Sequence, residues 1–185
     1  YGAINPGNGV ISIEAWVKTG SSLDNQVILS KYSGSDSAYM MTLDPSTNTW
    51  SFYTGTQWVR SSGSVLHDGR WHHLIATYDG SFARLYLDGL PKTGAVSASA
   101  DLTSTNNLQI AGTSSFGNYL NGSIDEVKIL NQVLSDSDVA QEYLKSRYFT
   151  HTVDVSTMGS SGPWTTVAPS SVSVGGGDAD TSARD

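Results

Sequence analysis

Two acids, Asp125 and Glu126, stand side by side in the run Gly122-Ser123-Ile124-Asp125-Glu126-Val127. A retaining glycosidase needs two carboxylates about 5 Å apart across one groove. On a strand that requires alternate positions, because neighbouring side chains point to opposite faces. No hydrolytic dyad is therefore expected from this pair. His72 and His73 are adjacent as well, so they do not form a joint metal site on one face of a strand. They read as structural histidines beside Trp71. Serines are plentiful, but no Gly-x-Ser-x-Gly elbow occurs to activate one. Catalysis is not what these residues support.

Binding is better served. Tyr53, Trp58 and Tyr119 lie next to turns, with Asn118 near the last of them. Exposed aromatic rings stack on the apolar faces of sugars while amides bond the hydroxyls. Packing within a sheet is the competing reading for Tyr53 and Trp58, since aromatics favour strands. The formal net charge of -7 argues against nucleic acid as a partner, because affinity for a polyanion rests on clustered Lys and Arg. The absence of cysteine removes disulfides and thiolate chemistry. No run approaches the roughly 20 apolar residues of a membrane-spanning helix. The chain opens at Tyr1 rather than a methionine, which suggests a processed or partial chain.

The elements that must carry these residues are strands. Nineteen Gly and only 15% charged residues in 185 suit short strands joined by turns. The strongest local signal is Trp71 to Asp88, two alternating runs around Asp79-Gly80, which predicts an antiparallel hairpin. Before it, Val10–Lys18 alternates with Ile11, Ile13, Ala15 and Val17 on the core face. Strands are expected at 26–31, 39–43, 50–53 and 58–60, a polar linker at 93–101, and further strands at 107–111 and 122–130. One helix is expected near 135–145, with Ser135 as N-cap and Val139, Tyr143 and Leu144 at helical spacing. The sum is an all-β, two-sheet antiparallel sandwich with one short helix.

The Trp71-His72-His73 strand, the Asp79-Gly80 hairpin and the Gly-x-Ile-Asp-Glu strand running into a Leu-Ser helix start resemble the laminin-G-like, pentraxin-like domains of concanavalin A-type jelly-roll fold. The resemblance covers roughly residues 10–146, giving a jelly-roll domain over 1–146. It implies an extracellular, secreted or cell-surface protein, and a structural calcium ion in which Asp125 would take part. The Phe-Asp-Gly strand that would precede residue 10 in such domains is missing or reduced here.

Residues 147–185 fall outside that pattern. Alternating stretches containing Thr150, Thr152, Val153 and Val155, then Trp164 and Val167, then Val172 and Val174, read as a β-rich Gly/Ser tail that pairs with the domain or with a neighbouring subunit. Three readings stay open. The first is a non-catalytic recognition or adhesion module for carbohydrate or a surface protein. The second is a structural subunit of an extracellular filament, self-assembled by strand addition through the tail. The third is a glycoside hydrolase of this fold, with an unusual dyad.

Overall fold

The computed structural model describes residues 5–147 except 7–8, 24, 35, 45, 64–65 and 114–116. The tail residues Thr150, Thr152, Val153, Val155, Trp164, Val167, Val172 and Val174 lie outside the described residues. Among the described residues are eleven strands and one helix: β1 (Ile11–Lys18), β2 (Gln26–Tyr32), β3 (Ser37–Asp44), β4 (Thr49–Tyr53), β5 (Trp58–Arg60), β6 (Trp71–Tyr78), β7 (Phe82–Leu87), β8 (Leu90–Pro91), β9 (Val96–Ser97), β10 (Gln109–Ile110), β11 (Ser123–Leu130) and α1 (Asp136–Ser146). They build two antiparallel sheets, one ordered β11-β1-β6-β7-β8 with β9 also on β7, the other β10-β2-β3-β4-β5. This is the two-sheet antiparallel sandwich expected from the alternation, with the jelly-roll form that the resemblance implies.

The core lies between the sheets. Ile11, Ile13, Ala15 and Val17 of β1 join Leu74 and Ala76 of β6 and Leu85 and Leu87 of β7, facing Leu29, Met41, Leu43, Trp50 and Phe52 of the second sheet. Each such side chain contributes roughly 1.5–3 kcal/mol on burial. The alternation of β3 and β4 thereby turns Met40, Thr42, Ser51 and Tyr53 to the other face of the second sheet.

The second face of β1 is sealed too, which alternation alone does not require. Ser12, Glu14 and Trp16 are fully buried, because α1 and the segment before it cover this side. Ser12 Oγ donates to the Gln132 carbonyl and accepts from the Leu134 amide, while Trp16 Nε1 donates to Ser146 Oγ at 2.9 Å. The helix begins as expected: Ser135 caps the Asp138 amide, and Asp138 returns a bond to the Ser135 backbone. Val139 is buried, but Leu144, expected on the same face, is 58% exposed.

Two further departures matter for the site. The stretch expected to be a polar linker, 93–101, contains β9 on β7 and buries Ala98. β11 carries a bulge: Trp16 pairs with Asp125 and Glu14 with Lys128, so two residues oppose Ala15. Glu126 takes a left-handed φ of 47° there. The extra residue turns Val127 and Ile129 to the core and Lys128 to the outside, which strict alternation from Ile124 would not do.

Candidate functional site

Tyr53 and Trp58 meet. They are cross-strand partners on β4 and β5, on the face turned away from the core, with ring centroids 5.0 Å apart and planes tilted by 45°. Tyr32, at the end of β2, extends the row, its ring edge-on to Tyr53 at 5.8 Å. Met40 of β3 sits opposite Tyr53. Three aromatic rings from three strands thus cross the second sheet, with Trp58 36% exposed and the two tyrosines half-buried. Tyr32 escapes a reading of the sequence because the strand expected at 26–31 runs one residue further, which places Tyr32 on this face by continued alternation from Leu29.

A polar depression of about 430 Å³ adjoins the row, lined by Asn5, Asp36, Ser37, Gly55, Asp101 and Thr105 among others. Ser37 pairs with Tyr32, and Tyr53 Oη donates to the Gly55 carbonyl at 2.9 Å, so the depression touches the row at both tyrosines. Its walls are tied. Asp36 Oδ2 accepts from the Thr105 amide and hydroxyl, and these bonds hold its carboxyl below the ordinary range. Asp101 Oδ1 takes the same pair of bonds from Thr103, with the same consequence. Beneath them the buried ammonium of Lys31 donates to the carbonyls of Ser104 and Asn106 at 2.7 and 2.5 Å.

The turn that presents Trp58 is anchored just as firmly. Thr54 and Thr56 hydroxyls both donate to the Ser99 carbonyl at 2.7 Å. Gln57 Nε2 reaches the Ser97 carbonyl, and the Asp101 amide donates to the Thr54 carbonyl. The polar residues of 93–101 therefore act as the backing of the aromatic row. Sites that bind by stacking profit from such rigidity, because less ordering is needed when a ligand arrives.

The remaining expectations fall elsewhere. Tyr119 is 65% exposed and lies against Gly112 beside β10. β10 and β5 are four strand spacings apart, about 19 Å, so Tyr119 and the half-buried Asn118 are remote from Trp58, and the Ala111 amide beside them bonds the Ile28 carbonyl, four residues along β2 from Tyr32. Asp125 Oδ1 accepts the Glu126 amide at 2.8 Å. Among the described residues no three His, Asp or Glu side chains gather as a metal site. At the bulge, moreover, the adjacent acids no longer follow simple alternation.

His72 and His73 point to opposite sides, as adjacency on a strand requires. His73 lies on the helix-covered face, stacked on Trp16 at 4.9 Å and Tyr143 at 5.9 Å. His72 bonds Asp88 through Nδ1 at 2.9 Å and Asp68 through Nε2 at 3.3 Å, clamping the loop before β6 to the turn after β7. Burial works against its charge, but the bond and charge of Asp88, joined by Asp68, outweigh it and raise the imidazole above its ordinary value. A raised folded value means stability that is complete below the ordinary histidine value of about 6.5 and lost as pH rises through the folded one. Thermal melts of the protein should therefore fall on going from mildly acidic to alkaline buffer, and His72→Gln should flatten that slope. An unchanged slope in the variant would remove His72 as its cause.

A family model described as the concanavalin A-like lectin/glucanases superfamily matches residues 3–140. No curated protein matches the chain. Among solved structures, the chain is similar to a protein from Bacteroides ovatus described as carbohydrate binding, with a TM-score of 0.58 at 16% identity over 72% of this chain and 40% of that one. It is similar to domain 4 of an extracellular arabinanase from Geobacillus stearothermophilus in complex with arabinotriose, with a TM-score of 0.53 at 17% identity over 72% of this chain and 66% of that one. It is also similar to a Trypanosoma rangeli sialidase, with a TM-score of 0.57 at 18% identity, spanning 75% of this chain but only 23% of that one. At such identities the likeness is one of fold.

Proposed function

The chain belongs to the concanavalin A-like lectin/glucanases superfamily, and from that premise we propose that it is a non-catalytic carbohydrate-binding module of a secreted or cell-surface protein. The observation that carries the reading is the row Tyr32, Tyr53 and Trp58 beside a polar depression. Apolar ring faces next to convergent hydroxyls and carboxylates are what a sugar needs. The acids give no support to hydrolysis: Glu14 is fully buried and ion-paired, and one oxygen of Asp125 is taken by its neighbour's amide.

A glycan array followed by titration calorimetry tests this. Trp58→Ala should weaken binding about tenfold or more, the scale of about 1.4 kcal/mol that loss of one stacked ring represents. Tyr119→Ala should leave it unchanged. Glycan binding that survives Trp58→Ala and disappears with Tyr119→Ala would move the site to the β10 edge. A wholly silent array would leave a protein ligand as the occupant of this face and end the carbohydrate reading.

A further inference from the structure

Arg60 is the second outward residue of β5, two positions from Trp58 and opposite Ser51 of β4. It is exposed, and no described acid pairs with it, although Arg70 and Arg84, the other arginines of the two sheets' strands and turns, pair with carboxylates. Along this face Met40, Thr42 and Ser51 are buried, which leaves Tyr53, Trp58 and Arg60 to meet a ligand, with Asp44 at the far end of β3, where its side chain accepts from Ser46. The chain has 17 acids against 10 bases. An unmatched guanidinium beside an aromatic row is placed to meet an acid on a ligand.

We propose that the site selects a saccharide bearing a single carboxylate, a terminal uronic or sialic acid residue, whose ring stacks on Trp58 while its carboxylate takes the Arg60 fork. The inference rests on the carbohydrate reading above and names its ligand class. Strand geometry puts Arg60 roughly 6.6 Å along β5 from Trp58, about one sugar ring away. Arg presents two parallel N–H groups that fit a planar carboxylate. The far side of the row is acid-lined by Asp36 and Asp101, so the charge on the ligand must point towards Arg60 and the neutral part towards the depression. One cation in a chain of net charge -7 suits one carboxylate rather than a polyanion. The competing reading of Arg60 is a charge placed on an edge strand to discourage pairing, and that role predicts no ligand preference.

The experiment is calorimetry of the whole chain with glucuronic acid-terminated oligosaccharides and with sialyllactose, each beside the neutral oligosaccharide that lacks the carboxylate. One of the acidic sugars should bind about tenfold or more tighter than its neutral partner, the usual scale of a charge-assisted bidentate contact, and added salt should narrow the gap. Arg60→Gln should erase the preference while leaving the neutral sugar's affinity and the melting temperature unchanged. Trp58→Ala should weaken both sugars. Equal binding of acidic and neutral sugars, or a preference that survives Arg60→Gln, overturns the proposal and leaves the carbohydrate reading standing. Binding of neutral glycans alone does the same. Loss of all glycan binding on the array is the failure of the parent reading.

Discussion

Gly55→Ala should cost about 3–5 kcal/mol of folding stability, far above the usual point substitution. Gly55 has φ of 86°, a conformation that costs any L-residue about 1–2 kcal/mol. The larger part comes from what a methyl group would meet. A Cβ at this position collides with the Asp101 carbonyl oxygen and stands 2.9 Å from that of Ala38. Neither can retreat cheaply, because the Asp101 amide is bonded to Thr54 and the Ser99 carbonyl receives two threonine hydroxyls. Gly80→Ala is the control: its φ is 97°, but nothing lies within 4 Å of its Cβ, so only the conformational cost of about 1–2 kcal/mol is expected. Urea melts of the two variants give the comparison, and equal losses would refute the collision. In whatever fraction of Gly55→Ala remains folded, glycan binding should fall as well, because the Tyr53 hydroxyl holds the Gly55 carbonyl and Trp58 follows three residues later.

That glycine shows where reading the sequence stops. The two-sheet fold was legible because its strands alternate strictly: Ile11, Ile13, Ala15 and Val17 can satisfy only one packing. The cap on α1 was legible because Ser135 and its acids are local chemistry. Two of the three rings of the aromatic row were legible, since Tyr53 and Trp58 flank one turn. Tyr32 was not, because the expected strand stopped at Lys31, one residue short of it. The bulge at Glu126 was hidden because period-2 logic does not anticipate an irregularity, although the spacing of Ile124, Val127 and Ile129 breaks alternation and could have revealed it. Polar residues between 93 and 106 carry no hydrophobic pattern, so their role as backing for the site emerges only from long-range hydrogen bonds.

The second large effect concerns the buried charge under the helix. Glu14 is fully buried on β1, its Oε1 2.8 Å from Lys128 Nζ and 3.1 Å from His73 Nε2. The His73 approach is off the line of a hydrogen bond, and Glu14 Oε2 has no partner. Lys128 is thus the main support of this carboxylate, and it also reaches Glu142 of α1 at 2.9 Å. Lys128→Met should cost about 2–4 kcal/mol, somewhat under the usual 3–5 for orphaning a buried charge because Lys128 itself is partly exposed.

The pH dependence separates this cause from lost packing. Burial pushes the Glu14 carboxyl up, and His73 with Lys128 more than reverses that, leaving it below its ordinary value. In the native protein this contribution is present above the ordinary glutamate value of about 4.3 and lost as pH falls through the depressed one. Without Lys128 only His73 opposes the effect of burial, so the carboxyl should rise and protonating Glu14 should cost the variant less than it costs the native protein. The stability gap between the two proteins should therefore be widest near neutrality and shrink towards about pH 4.5. Adding Glu14→Gln to Lys128→Met should recover part of the loss at neutral pH. A gap that holds constant across this range would mean that Lys128 serves α1 through Glu142 and the packing of its stem rather than by neutralising Glu14.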